Sequence, residues 1–278
     1  MTPVISIGAA LLSATRLLEE AQVTAARLNA EVLLCHALGR ERSYLFAHPE
    51  ELLSELAWIH FGRYLHQRLR GKPTQYITHK QEFYGRDFRV SPAVLIPRPE
   101  TEHVVERVLA LNPQGLIADV GCGSGAIGIT LALELARPVL LTDISPAALA
   151  IATANAQALG ATGVQFLECD LTAALAPASV ELLVSNPPYI AIGDGPGLQR
   201  EVRDFEPALA LFGGERGHEV YARLIADARR VLRPGGWLVL ELGFGSEAAV
   251  REMLRGWTMI EVEPDLAGIP RVLSARFV

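Results

Sequence analysis

The most specific chemistry in the chain lies in four residues, Asn186-Pro187-Pro188-Tyr189. Proline offers a carbonyl and no N–H, so two prolines beside an asparagine side-chain oxygen present several fixed hydrogen-bond acceptors. Such a bend suits a substrate NH2. The lone pair of a planar amide or aromatic amine is delocalised. It becomes usable when acceptors hold both N–H groups and the nitrogen is presented in line with an electrophile. Tyr189 is expected to lie flat against the planar group, and these four are the candidate catalytic residues. The plainer alternative is a rigid turn after a strand, since Pro-Pro is ordinary turn chemistry.

A second cluster, Asp119-Val120-Gly121-Cys122-Gly123-Ser124-Gly125, falls between an apolar strand and an apolar helix. Backbone amides and the helix dipole favour an anionic group at such a place. Gly123, Gly125 and Gly128 also satisfy a dinucleotide spacing, and Asp143 ends the next strand 20 residues after Gly123. NAD and S-adenosyl-L-methionine could both use that acid on ribose hydroxyls. Two features favour the sulfonium cofactor. Asp119 ends the first buried strand and could face a cationic ammonium and sulfonium, where a pyrophosphate would be repelled. Asp170 closes the third strand at the same edge and suits an adenine amine, with Leu171 beside the ring. The alternatives are that Asp119 caps the loop and Asp170 a turn. The candidate cofactor residues are Asp119, Gly121, Cys122, Gly123, Ser124, Gly125, Asp143, Asp170, Leu171 and Asn186.

Other chemistries fit less well. The seven histidines show no metal-binding spacing and read as surface residues, so no metal is expected. Ser124 lacks the glycine frame of a hydrolase elbow. Cys35, Cys122 and Cys169 are odd in number and unpaired in spacing, which fits small apolar residues in a reducing cytoplasm. A net charge of -6 argues against stable nucleic-acid binding by phosphate neutralisation. No apolar stretch approaches the roughly 20 residues of a membrane span. The apolar start, Met1 to Leu12, has no basic leader.

The elements that must position these residues follow from periodicity. Half of the 278 residues are apolar, enough for one large domain plus a small one. Residues 1–74 repeat apolar positions at helical spacing: Leu11, Leu12, Leu17, Leu18, then Leu28, Val32, Leu33, Leu34 and Leu38. Gly39 suits a C-cap and Ser54 a restart. Residues 75–95, from Tyr76-Ile77 to Val90 with Gly85 between, read as two short strands joined by a turn. Pro99 can open a helix with Glu100 and Glu102 near its positive end. From 96 to 278 strands and helices alternate: Leu116–Val120, a helix over 125–136, Val139–Ile144, Pro146–Leu159, Val164–Asp170 and Val180–Ser185. A helix from Glu219 to Leu232 then ends at Pro234-Gly235-Gly236, before a strand Trp237–Leu242. That alternation predicts an α/β fold, a mostly parallel sheet covered on both faces. From residue 111 onward there are 12 basic and 19 acidic residues, so the acidic character sits in the catalytic part.

With these motifs in place the chain resembles the peptide chain release factor N5-glutamine methyltransferases, the HemK/PrmC family. The likeness rests on Gln75-Tyr76-Ile77, Glu82 to Gly85, Ile96 to Glu102, Asp119 to Ile127 and Asp143 to Pro146. It continues through Asn186 to Ile190, Glu201-Val202-Arg203, Phe205-Glu206-Pro207, Leu211 to Gly214 and Asp265 to Gly268. The glycine loop and Asn-Pro-Pro-Tyr are shared with amino-methylating enzymes generally. The hairpin, the Pro-Arg-Pro-Glu-Thr-Glu segment and the helical start narrow the match. The resemblance implies a Rossmann-like, seven-stranded class I methyltransferase domain with its last strand antiparallel, preceded by a helical substrate-recognition domain. It implies methyl transfer from S-adenosyl-L-methionine to the glutamine of the Gly-Gly-Gln loop in class I release factors. Carried over by position, Gly121, Gly123, Gly125, Asp143, Leu171 and Asn186 contact the cofactor, and Asn186 to Tyr189 hold the glutamine amide. Arg98 and Glu100 are left between a site role and a helix-start role. Thr78-His79-Lys80 and the glycine-rich 193–197 depart from the expected pattern. A nucleic-acid amino methyltransferase holding a flipped base is the nearest rival. A nicotinamide-dependent dehydrogenase and a non-catalytic helical interaction module are the others.

Overall fold

A computed structural model describes residues 5–278. The expected helical segment and the apolar start both begin within residues 1–4, which lie outside the described residues. The chain forms two compact units. One holds the described residues through His79 together with Gln199–Phe205, and the other holds Lys80–Leu198 and Glu206–Val278.

The first unit is helical: α1 (Ile7–Glu20), α2 (Ala26–Leu38), α3 (Arg42–Ala47), α4 (Glu55–Leu69) and α5 (Thr74–Thr78). The Ser6 and Ser54 hydroxyls accept from the Ala9 and Ala57 amides and so cap α1 and α4, and Gly39 closes α2 with φ +62°. Leu11, Leu18, Leu33, Leu34 and Phe61 form its core, whereas Leu12, Leu17 and Leu28 are exposed. Adjacent side chains on a helix point about 100° apart, so in the Leu11-Leu12 and Leu17-Leu18 pairs one member faces water, whereas Leu33 and Leu34 of α2 are both buried. Tyr76 and Ile77, expected in a strand, lie in α5 instead. Both of their amides donate to the Pro73 carbonyl, a turn that proline opens, and both side chains are buried. Buried Arg68 donates to Asn29 at 2.9 Å and pairs at 2.5 Å with Glu201 of α9 (Arg200–Phe205).

The second unit opens with a hairpin, β1 (Lys80–Phe83) and β2 (Arg86–Arg89), which turns at Tyr84-Gly85. A 3-10 turn, Pro99–Thr101, leads into α6 (Glu102–Leu111). Next come β3 (Ile117–Val120), α7 (Ala126–Leu135), β4 (Val139–Asp143), α8 (Pro146–Leu159), β5 (Val164–Glu168) and β6 (Val180–Ser185). After β7 (Ile190–Ala191), a 3-10 turn and the excursion through α9 lie α10 (Ala208–Leu211), β8 (Phe212–Gly214) and α11 (Glu219–Val231). The chain ends with β9 (Leu232–Glu241), α12 (Glu247–Met253), β10 (Thr258–Pro264) and β11 (Pro270–Arg276).

The main sheet has seven strands in the order β10-β11-β9-β6-β3-β4-β5. The β9-β6-β3-β4-β5 pairs are parallel, and β11 runs antiparallel to β9 and β10. Ile117, Leu141, Leu182 and Val184 belong to one apolar cluster, and Ala118, Leu183, Leu238 and Leu240 to another. Alternating side chains thus bury both faces of the sheet. The carboxyl ends of β3, β4, β5, β6 and β9 reach one edge, where they deliver Gly121, Asp143, Asp170, Asn186 and Glu241. One boundary differs from expectation. Strand β9 starts at Leu232, and Pro234-Gly235-Gly236 lies inside it at a register shift against β6 instead of ending the helix. Proline and glycine can be held there because the ladder is already interrupted.

Candidate active site

The loop after β3 is pinned from within. Gly121 and Cys122 donate to the Thr142 carbonyl at 2.8 and 2.9 Å, Gly125 to the Cys122 carbonyl at 2.8 Å, and Gly123 to an Asp143 oxygen at 2.9 Å. The other Asp143 oxygen accepts from the Ser145 amide. These amides are committed to the fold and are not offered to a pyrophosphate, so the arrangement argues against the dinucleotide reading. Gly121 and Gly123 have φ of +71° and +54°, and a Cβ on either would meet no atom within 4 Å. They form an open cradle. From α8, buried Asn155 donates to the Ser124 and Arg89 carbonyls and accepts from the Arg89 amide, which ties β2 to the loop.

A cavity of about 290 Å³, near the lower end for small-molecule sites, runs along the carboxyl edge of the sheet. Its walls bring together Gly121, Cys122, Gly123, Ser124, Asp143, Asp170, Leu171, Asn186 and Pro188 of the residues singled out from sequence. Asp119, Gly125, Pro187 and Tyr189 do not line it. The Asp119 side chain is fully buried and accepts from the Gly128 amide at 2.8 Å, while its second oxygen has no partner. Burial pushes its carboxyl up to about 7, against the lowering effect of Gly128. It therefore ties α7 to the strand instead of facing a cation in the cavity. Gly125 caps α7, and a Cβ there would strike Ile129 at 2.5 Å. Pro187 is buried. The Tyr189 ring lies against Gly243, where a Cβ would come within 2.6 Å of Cδ2. Burial and the nearby Glu241 push its hydroxyl up to about 12. Cys122 is buried, and burial raises its thiol well above the usual range.

Asp170 lines the cavity already paired to Arg223 of α11 at 2.5 Å. Arg98 also lines it, donating to buried Glu206 at 2.5 Å and to the Ile96 carbonyl at 3.0 Å. Arg223, Thr101, Phe212 and Glu241 were not singled out from sequence. Thr101 and Phe212 lie within segments already quoted but had no role assigned, whereas Arg223 and Glu241 come from segments remote from the motifs, and no local spacing marks them. Behind Asn186, its Nδ2 donates to the Thr101 hydroxyl at 3.3 Å, and that hydroxyl donates to the Glu241 carboxylate at 2.6 Å. Burial pushes the Glu241 carboxyl up to about 7, while Thr101 and Arg271 oppose the shift. Among the described residues no cluster of His, Cys, Asp and Glu has the arrangement of a metal site. No helix there is long and apolar enough to cross a membrane.

Comparison with known proteins matches residues 9–78 to the PrmC N-terminal domain and residues 101–196 to the methyltransferase small domain. A release factor glutamine methyltransferase from Koribacter versatilis is 48% identical over 269 residues, 95% of this chain and 96% of the relative. Those of Nitratidesulfovibrio vulgaris and Moorella thermoacetica are 44% and 46% identical, covering 93% and 96% of this chain and 91% and 96% of their own. Among solved structures, a Pyrococcus furiosus methyltransferase aligns with TM-score 0.54 at 16% identity, over 69% of this chain and 89% of its own. The hMettl16 catalytic domain, solved with an RNA hairpin, aligns with TM-score 0.55 at 18% identity, over 74% and 90%. At those identities the structures speak for the fold alone. The near-full-length sequence matches do more: at 44–48% identity over 91–96% of the relatives, this chain belongs to the release factor glutamine methyltransferase family.

Proposed function

We propose that this protein transfers a methyl group from S-adenosyl-L-methionine to the side-chain amide nitrogen, N5, of the glutamine in the Gly-Gly-Gln loop of class I release factors. One observation carries the reading. Asn186 and Pro188 share a single cavity with the open Gly121–Gly123 cradle and Asp143, so an amide acceptor site adjoins a nucleoside site. Gly121, Cys122, Gly123, Ser124, Asp143 and Leu171 are the residues that would hold the cofactor. Its chemistry, when bound, is a methyl made electrophilic by a sulfonium. Asp143 keeps acceptor capacity for ribose hydroxyls beyond the two amides it already binds.

Asn186 and the Pro188 carbonyl accept from the substrate NH2 and hold its nitrogen in one orientation, which supplies much of the rate. Tyr189 acts from behind by fixing the bend and not by stacking on the substrate. A nitrogen gaining a methyl becomes acidic, so a dedicated strong base is not required. The helical unit is assigned to recognition of the release factor, and the activity to the cytoplasm, where translation takes place. No stable nucleic-acid contact is needed.

The test is methyl transfer from labelled cofactor to a release factor, with rRNA and DNA in parallel. Label is expected in the protein substrate. Label confined to nucleic acid would overturn the reading.

A further inference from the structure

Glu241 stands at the carboxyl end of β9 with 2% of its surface exposed, joined to Asn186 through the Thr101 hydroxyl but outside the cavity wall. An ionised carboxylate only accepts hydrogen bonds, so Thr101 must spend its one proton on Glu241 and keep its lone pairs for a donor. The only end of the Asn186 amide that can then face Thr101 is the NH2. That constraint matters because a free asparagine amide can turn over at little cost, and the wrong face would set NH2 against NH2.

We propose that Thr101 and Glu241 are positioning residues that lock the Asn186 amide with its oxygen toward the substrate nitrogen. The role rests on the amide-methylation reading. Glu241 is held for this task from several sides. The Tyr221 hydroxyl of α11 donates to its backbone carbonyl at 2.7 Å and accepts from the Gly243 amide at 3.1 Å. The charged and titratable groups facing its carboxyl are Arg98 and Glu100 from the turn before α6, Arg271 from β11 and Tyr189 from the loop after β6. A proton on Glu241 would give Thr101 something to accept, release the Thr101 proton toward Asn186 and permit the reversed amide. Turnover should therefore rise with pH through neutrality.

Steady-state kinetics on a release factor, with cofactor binding by calorimetry and thermal melting alongside, tests the lock. Thr101→Val is expected to lower kcat at least tenfold, with release-factor KM and cofactor Kd within threefold and melting nearly unchanged. Thr101→Ser, which restores the hydroxyl, should recover most of kcat. Glu241→Gln no longer compels Thr101 to donate; it is expected to lower kcat severalfold at pH 8.5 and flatten the rise with pH. It carries the test should the valine variant fold poorly. Three results would each overturn the role: a Thr101→Val kcat within threefold of wild type, a serine variant no better than valine, or a Glu241→Gln profile superimposable on wild type. Wild type in the same assay separates the two readings. No transfer by wild type overturns the function and this role with it; transfer by wild type with an unaffected valine variant overturns this role alone.

Discussion

Asn186 combines an acceptor lining the cavity with a donor turned toward Thr101, and no other side chain of the bend has both. Asn186→Ala is expected to lower kcat more than a hundredfold while cofactor Kd moves less than tenfold; single-turnover rates beside calorimetry check it. Gly123 faces the opposite trade. A side chain at φ +54° costs about 1–2 kcal/mol of backbone strain and would also fill the cradle, so Gly123→Val should weaken cofactor binding at least tenfold. The same calorimetry reads that change. Residue type and spacing alone pointed to Asn186, Gly121, Gly123 and Asp143, because an asparagine followed by two prolines and a glycine loop after a strand have few other uses. Side-chain direction was not legible. Asp119, Asp170 and Tyr189 are at the expected edge, yet the first binds Gly128, the second Arg223, and the third packs on Gly243. Glu241 reads in sequence as one acid closing an apolar strand, since its partner Thr101 lies 140 residues away.

The bend is held by a small ladder that the sequence did not announce. Strand β7, which follows Tyr189 directly, pairs with β8 through Ile190 and Phe212, and the two pieces are 2 and 3 residues long. Such lengths leave no periodic trace. Glycine is required where they meet, because a Cβ at Gly213 would approach the Pro188 and Gly217 carbonyls to 2.5 Å. Gly213→Ala should therefore displace the Pro188 carbonyl and lower kcat about tenfold or more, an effect that kinetics separates from any change in cofactor Kd. The longer elements were legible. Pro146–Leu159 opens on a Ser145 cap and ends at Gly160, and Val180–Ser185 is bounded as its apolar run indicates. Pro234-Gly235-Gly236 misled because those residues stop a regular element in most settings, whereas a neighbouring strand with a register shift accommodates them here.

Two buried carboxyls, Asp119 and Glu241, set a pH dependence for the protein as a whole. Each is pushed up to about 7 by burial, from an ordinary value near 4 in the unfolded chain. Below about pH 4 both states hold the protons and stability is fully present. As pH rises toward 7 the unfolded chain releases them first, so stability falls, then levels off above the folded values. Denaturant midpoints from pH 4.5 to 8 should therefore decline, and Asp119→Asn should flatten part of that decline. The opposite slope would contradict the burial of these groups. Composition signalled two domains and an acidic catalytic part, but the return of Gln199–Phe205 to the helical unit was not visible. Only the fold reveals the Arg68–Glu201 pair that goes with it. What the molecule does with this arrangement reduces to one reaction at one atom. Tandem mass spectrometry of a release factor incubated with the protein and S-adenosyl-L-methionine should find a single added methyl on the glutamine of its Gly-Gly-Gln loop, absent when Asn186→Ala replaces wild type. A methyl on any other residue, or an Asn186→Ala variant that still places it on that glutamine at the wild-type rate, would contradict the account.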